Sequence, residues 1–277
     1  MDYTRPELLA EPGWLAAHID DPNVRLIDCG FVEAYRRAHI PGAVHLPVHH
    51  YVKEPDPSGG DFGVLVMPPG EFEALMGRLG VGPQTTVVAY DDDSARVATR
   101  LWWVLNYYGH TNVKVLNGGF RKWLKESRPV TQDVPTIEKK RFLVKEHPEK
   151  VVTREWVQKR LRNKDVVLVD TRSFNEYIGK DLRPGASRGG HLPGAVHLEW
   201  TKFSDKVNTF KAAAELEKVL QQRGITRNTK VVTYCGTGLG RSTDMALAMK
   251  LIGYDNVVEY TGSWEEWSAD PRLPIEK

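Results

Sequence analysis

The chain repeats itself, and a fold that has to be built twice from one length of polypeptide is the tightest constraint this sequence imposes. Arg25-Leu26-Ile27-Asp28 leads into His39-Ile40-Pro41-Gly42-Ala43-Val44-His45-Leu46, and Val167-Leu168-Val169-Asp170 leads into His191-Leu192-Pro193-Gly194-Ala195-Val196-His197-Leu198. Downstream, Thr86-Val87-Val88-Ala89-Tyr90 answers to Lys230-Val231-Val232-Thr233-Tyr234, and Trp123 to Trp267, both at an offset of 144 residues. The offset is 142 from Asp28 to Asp170 but 152 from His39 to His191, which puts ten extra residues in the second copy, within 177–190. The first copy recovers eight of them in the Pro/Gly-rich stretch 52–70. At 277 residues the chain has room for two domains of ordinary size. The expected division is a first domain over 1–127, a charged, proline-containing linker over 128–150 and a second domain over 151–277.

Each copy alternates short β-branched runs with stretches of helical period. Thr85 to Ala89 and Lys230 to Thr233 read as buried parallel strands. Pro69 to Leu79 places Phe72, Leu75, Met76 and Leu79 on one helical face, and Ser242 to Leu251 does the same with Met245, Leu247, Ala248 and Leu251. Alternation of this kind implies an α/β fold, each domain a mostly parallel sheet with helices on both faces.

A net charge of +2 is too small to serve as an electrostatic footprint for nucleic acid or a membrane surface, so neither is expected as a partner. The N-terminus carries no signal-peptide pattern, and no apolar run is long enough to span a bilayer. Two cysteines, Cys29 and Cys235, give no disulfide framework, and an unpaired reactive thiol fits a reducing, cytoplasmic setting.

The chemistry is expected at the end of the strand Lys230 to Tyr234, in Cys235-Gly236-Thr237-Gly238-Leu239-Gly240-Arg241-Ser242. The carboxyl end of a strand is where open α/β sheets bind ligands. The glycines let the loop curl so that successive amide N–H groups point inward, and the following helix adds its positive end. A cysteine there should ionise readily and act as the nucleophile. Arg241 offers a fork of donors for an oxyanion at the rim, and Ser242 is placed to cap the helix or to turn its hydroxyl to the sulfur. Cys29 has no such loop and reads as a strand-end core residue. In the first copy Asp91 replaces the cysteine, followed by Asp92, Asp93, Ser94, Ala95 and Arg96. Three adjacent acids read as a solvated loop, and the first copy as a silent partner walling one side of the cleft. Asp244, Glu265 and Glu266 read as solvated charges, His39, His45, His191 and His197 as structural turn residues, and Trp102 and Trp103 as packing residues. No metal or bound cofactor is implied.

The chain resembles the tandem rhodanese family (thiosulfate/3-mercaptopyruvate sulfurtransferases) over almost its full length. The resemblance is carried by Asp170-Thr171-Arg172-Ser173 with Glu176-Tyr177, by Gly190-His191-Leu192-Pro193-Gly194-Ala195, by the Cys235 loop, and by Tyr260-Thr261-Gly262-Ser263-Trp264-Glu265-Glu266-Trp267. It implies two tandem rhodanese-like domains and sulfur transfer through a Cys235 persulfide. The donor would be a small anionic sulfur compound and the acceptor cyanide or a thiol, a thioredoxin-like reductant being one such thiol. Gly236 through Ser242 would bind the substrate sulfur. Asp170 and Arg172 match family positions behind the active loop, as supporting residues or as a structural ion pair. Two departures stand out. Glu176 occupies a place where relatives often carry a substrate arginine and would repel an anionic donor, a part that Arg183 and Arg188 in the insert are placed to take over. Arg241 follows the cysteine by six positions, the spacing of the seven-residue loop of cysteine phosphatases, so a phosphatase or arsenate-type enzyme is the alternative.

Overall fold

The computed structural model describes residues 2–52, 62, 64–92 and 95–277. Two wholly parallel sheets stand one after the other along the chain. The first contains β1 (Leu9–Ala10), β2 (Val24–Asp28), β3 (Val44–His45), β4 (Thr86–Tyr90) and β5 (Val113–Leu116), in the order β1-β5-β4-β2-β3. The second contains β6 (Val166–Asp170), β7 (Val196–His197), β8 (Lys230–Tyr234) and β9 (Val257–Glu259), in the order β7-β6-β8-β9. The repeat is visible in the register: Asp28 lies opposite Tyr90 in one sheet, and Asp170 opposite Tyr234 in the other. The expected strands are therefore present, displaced by a residue at most.

Because side chains alternate across a strand, each sheet sends one set of residues to each face. Leu26, Val88 and Tyr90 pack with Leu15, Tyr35 and Trp123 on the outer face of the first sheet. Leu168, Val232 and Tyr234 pack with Val157, Trp264 and Trp267 on the outer face of the second. Ile27, Val87 and Ala89 of one sheet and Val169 and Val231 of the other turn inward to a single shared core. That core is bridged by the helices Arg96–Tyr107 and Arg241–Leu251, which pack on each other and are joined by a contact between Thr99 Oγ1 and Thr243 Oγ1 at 3.1 Å. The two helices start directly after the two candidate loops, so the packing that joins the domains also brings those loops together.

The stretch 128–150 is no free tether. Its amides at Lys140, Lys145 and His147 donate to the carbonyls of Gly77, Tyr108 and Tyr107, and Phe142 is buried in the shared core. Ile137, Phe142 and Val144, spaced among the charges, pack this segment against the shared core. Most of the Pro/Gly-rich stretch 52–70, with Asp93 and Ser94 of the acidic loop, lies outside the described residues.

Asp91 corrects the reading of a solvated acidic loop. It is buried, and its carboxylate accepts the N–H of Ala95 at 2.9 Å, of Val97 at 2.9 Å and of Ala98 at 2.8 Å. A turn from strand into helix leaves several amides without intrahelical acceptors, and a side-chain anion at the strand end meets that need. Asp91→Ala removes the acceptor and leaves those amides buried. It should lower the free energy of unfolding by about 2–4 kcal/mol, measured by equilibrium urea denaturation.

Candidate active site

Cys235 stands at the strand end that Asp91 occupies in the other domain, and there the amides face sulfur. Its Sγ accepts the N–H of Gly238 at 3.2 Å and lies 3.6 Å from Ser242 Oγ. The cysteine backbone is pinned from the far side: its carbonyl accepts the N–H of Trp264 at 3.0 Å, and its N–H donates to Ser263 Oγ at 3.2 Å. The tight curl depends on two glycines. Gly238 has φ +68 and Gly240 φ +152, and a Cβ on either would overlap a backbone carbonyl, that of Thr261 for the first and that of Arg96, in the other domain, for the second. The loop thus closes against both its own domain and its neighbour.

The helix after the loop begins at Arg241, with Gly240 at its cap position and no side-chain cap. Ser242 is therefore inside the helix and does not cap it. Its hydroxyl points back beneath the loop, 2.7 Å from Glu259 Oε1 as well as near the sulfur. Burial pushes the Cys235 thiol up, but the Arg241 guanidinium and the Ser242 hydroxyl outweigh it, and the thiol falls below its ordinary range. Cys29 is the opposite case. Burial, with Asp91 and Asp28 nearby, drives its thiol well above the ordinary value, in keeping with the core role read from the sequence.

Arg241 and Glu176 need joint correction. Arg241 lines the cleft with Cys235 as expected, but its two terminal nitrogens meet the Glu176 carboxylate at 2.7 and 3.0 Å. Nor does Glu176 present a bare negative charge to the cleft. It is buried, forms a capping box with Ser173, and spends both oxygens on Arg241. Burial alone would raise its carboxyl, but Arg241 and Ser173 overcome this and hold it below the usual range.

The cleft over Cys235 encloses about 470 Å³, and its walls include Arg96, Arg183, Glu199, Trp200, Thr237 and Leu239. Arg183 is thus brought to the site, 64% exposed and 2.9 Å from Asp181. Arg188 is not. Its guanidinium donates to the carbonyls of Ser268, Leu273, Trp267 and Asp270, which ties the insert to the C-terminal segment. Two of these carbonyls belong to the helix Ser263–Ala269 and two to the segment after it, so Arg188 clasps the chain's end instead of reaching the cleft.

Asp170 and Arg172 form a buried pair at 2.6 Å behind the loop. Asp170 also accepts the Tyr234 hydroxyl at 2.8 Å, and Arg172 donates to the Gly190 carbonyl at 2.7 Å and lies 4.6 Å over the Trp264 ring. They fasten β6 to β8, and neither is among the residues lining the cleft. The repeated histidines do not lie in turns, contrary to expectation: His45 and His197 end β3 and β7, and His39 and His191 form isolated bridges to Thr131 and Glu276. His39 and His191 stack on Tyr35 and Tyr177, and each ring meets the carbonyl of the tyrosine on which it stacks.

Two acids expected in solvent are buried. Glu266 accepts the Tyr260 hydroxyl at 2.6 Å. Asp244 is 1% exposed, and its carboxylate has no hydrogen-bond partner among the described residues. Burial, and then Asp91, push its carboxyl far above the usual range. Sequence reading missed Arg96 as a cleft residue, although the silent copy's predicted place along one wall pointed to it. Glu259 left no signal, because a single acid at the end of a short strand reads as surface charge. Among the described residues no group of acids, histidines or cysteines is arranged to hold a metal ion, and no helix is long and apolar enough to cross a membrane.

The rhodanese-like domain family matches residues 11–126 and again 153–270. The chain is 35% identical over 288 residues to the sulfur carrier protein TtuD of Thermus thermophilus, covering 100% of this chain and 99% of the relative. It is 34% identical over 269 residues to a thiosulfate sulfurtransferase of Pseudomonas aeruginosa, covering 97% of each. The crystal structure of SseA from Escherichia coli, a 3-mercaptopyruvate sulfotransferase, superposes with a TM-score of 0.79 at 26% identity, over 93% of this chain and 98% of that one.

The Glu176–Arg241 pair has a definite pH signature. A carboxyl held low in the folded state contributes stability that is complete above its unfolded value and is lost as pH falls through the folded one. Urea midpoints of the wild type and Glu176→Gln should therefore differ fully at neutral pH. The difference should shrink below the ordinary glutamate range, as pH falls through the lowered folded value of Glu176.

Proposed function

Since the chain belongs to the rhodanese-like domain family, twice over along its length, we propose that it is a sulfurtransferase that moves sulfane sulfur from a small anionic donor to an acceptor through a persulfide on Cys235. The observation that carries this reading is the Cys235 sulfur itself: buried, under the Gly238 amide, and shifted toward the thiolate by Arg241 and Ser242.

With thiosulfate, the thiolate attacks the outer sulfur, the new S–S bond forms, and sulfite leaves with the electron pair of the old one. With 3-mercaptopyruvate, the carbon–sulfur bond breaks and the pyruvate carbon takes up a proton. In the second half-reaction cyanide or an acceptor thiolate attacks the outer sulfur and Cys235 leaves as the thiolate. The loop from Gly236 to Ser242 supports the outer sulfur through its amides, and a thioredoxin-like reductant is a suitable acceptor. Arg183 and Arg96 on the cleft wall supply positive charge for the anionic end of the donor. A reducing compartment such as the cytoplasm suits an unpaired nucleophilic thiol.

The phosphatase alternative finds less support. Arg241, whose spacing suggested it, has both terminal nitrogens on Glu176. Asp244, the one acid on the following helix, is buried away from the cleft lining.

Intact mass after incubation with thiosulfate, and separately with 3-mercaptopyruvate, tests the proposal. The wild type should gain about one sulfur atom (~32 Da) and Cys235→Ser none. The donor that loads more completely at equal concentration identifies the preferred substrate, and Arg183→Ala should require several-fold more of it. Loading in neither case, together with Cys235-dependent turnover of a phosphate ester, overturns the assignment.

A further inference from the structure

Behind the Cys235 loop lies a second acid that the reaction as described does not use. Glu259, the last residue of β9, is fully buried. Its Oε1 lies 2.7 Å from Ser242 Oγ, which is 3.6 Å from Cys235 Sγ, and its Oε2 has no hydrogen-bond partner among the described residues. The one cation facing it among the described residues, Arg100, reaches across from the first domain to 3.5 Å and also donates to the Leu65 carbonyl at 2.8 Å. A hydroxyl has a single proton. Ser242 therefore donates either to the carboxylate or to the sulfur, and which of the two it serves depends on whether Glu259 is protonated.

We propose that Glu259 is a positioning residue that holds, through Ser242, the proton Cys235 gives up on becoming a thiolate. The proposal rests on the reading of Cys235 as the nucleophile. In the step, the Sγ–H bond breaks and its proton passes to Ser242 Oγ while the Ser242 hydroxyl proton passes to Glu259 Oε1. The sulfur is left as a thiolate that accepts from the Ser242 hydroxyl, and the hydroxyl in turn accepts from the neutral acid. No net charge is added to the buried site, which is the condition that makes ionisation inside it affordable. Burial pushes the Glu259 carboxyl up, against the opposing pull of Arg100 and Ser242, to about 7, so it can hold a proton where thiolates are needed. The groups that face the acid are Ser242 and Arg100 from the two bridging helices and Cys235 from the end of β8.

The rate of Cys235 alkylation by iodoacetamide, followed on the Cys235 peptide by mass spectrometry between roughly pH 5 and 9, reads this coupling. The wild type should rise in two steps, the upper one near pH 7, where Glu259 ionises, draws the Ser242 hydroxyl's hydrogen bond away from the thiolate and leaves a more basic, more nucleophilic sulfur. In Glu259→Gln the upper step should vanish, leaving the rate above it roughly threefold below wild type, the effect of about one unit of thiol basicity. Ser242→Ala keeps the Glu259–Arg100 pair and should also lose the upper step. It decides the matter if Glu259→Gln does not fold. A single-step wild-type profile, or an upper step retained in either folded variant, overturns the proposal. Alkylation needs no sulfur donor, so this outcome is independent of whether Cys235 accepts sulfur from thiosulfate or 3-mercaptopyruvate.

Discussion

Where the central strand of each sheet ends, the chain has to turn straight into a helix, and the turn leaves several amide N–H groups converging on one point. Backbone donors buried without acceptors are costly, so something electron-rich must sit there. In the first domain a covalent answer is built in: the Asp91 carboxylate fills the cradle permanently. In the second domain the cradle receives the Cys235 sulfur, smaller and held by fewer donors. The same backbone requirement thus gives a structural plug in one copy and a nucleophile in the other. The two strand ends differ in one side chain, Asp91 against Cys235, over stretches of equal length.

The rest of the architecture serves that loop. The bridging helices start at the two cradles and pack on each other, so the first domain contributes Arg96 to the cleft wall and its Arg96 carbonyl to the floor beneath Gly240. Arg100 of the first domain and Asp244 of the second are related by the same 144-residue offset as Tyr90 and Tyr234. Arg100 reaches behind the working cradle to Glu259, while Asp244 is buried without a partner among the described residues and is influenced by Asp91. Of these two equivalent positions, the one in the first domain, Arg100, has been turned to the needs of the opposite domain. A loop held from both sides in this way keeps its amides aimed without depending on the substrate to organise them.

What could be read from residue order follows physical lines. The repeat, the strands and the helix over 69–78 were legible because period and order depend only on local pattern. Cys235 was legible because a cysteine before three alternating glycines has few structural uses. Side-chain partnerships across the fold were not. Nothing near Glu176 in sequence announces that Arg241, 65 positions away, will neutralise it, and nothing distinguishes Arg183 from Arg188 until one is seen in the cleft and the other on the C-terminal carbonyls. Burial of Asp91, Asp244 and Glu266 was likewise hidden. An acidic residue reads as solvated by default, and only tertiary packing reveals which acids have been enclosed and which have been given donors.

The central claim is that the second cradle holds a transferred sulfur atom in the place where the first holds a carboxylate. Anomalous scattering from crystals soaked in thiosulfate, recorded near the sulfur edge, tests it most directly. The account predicts two linked sulfur peaks at Cys235, the outer one enclosed by the loop and within hydrogen-bond reach of its amides. A single peak at Cys235, or an outer sulfur directed out into the cleft away from the loop amides, would contradict it.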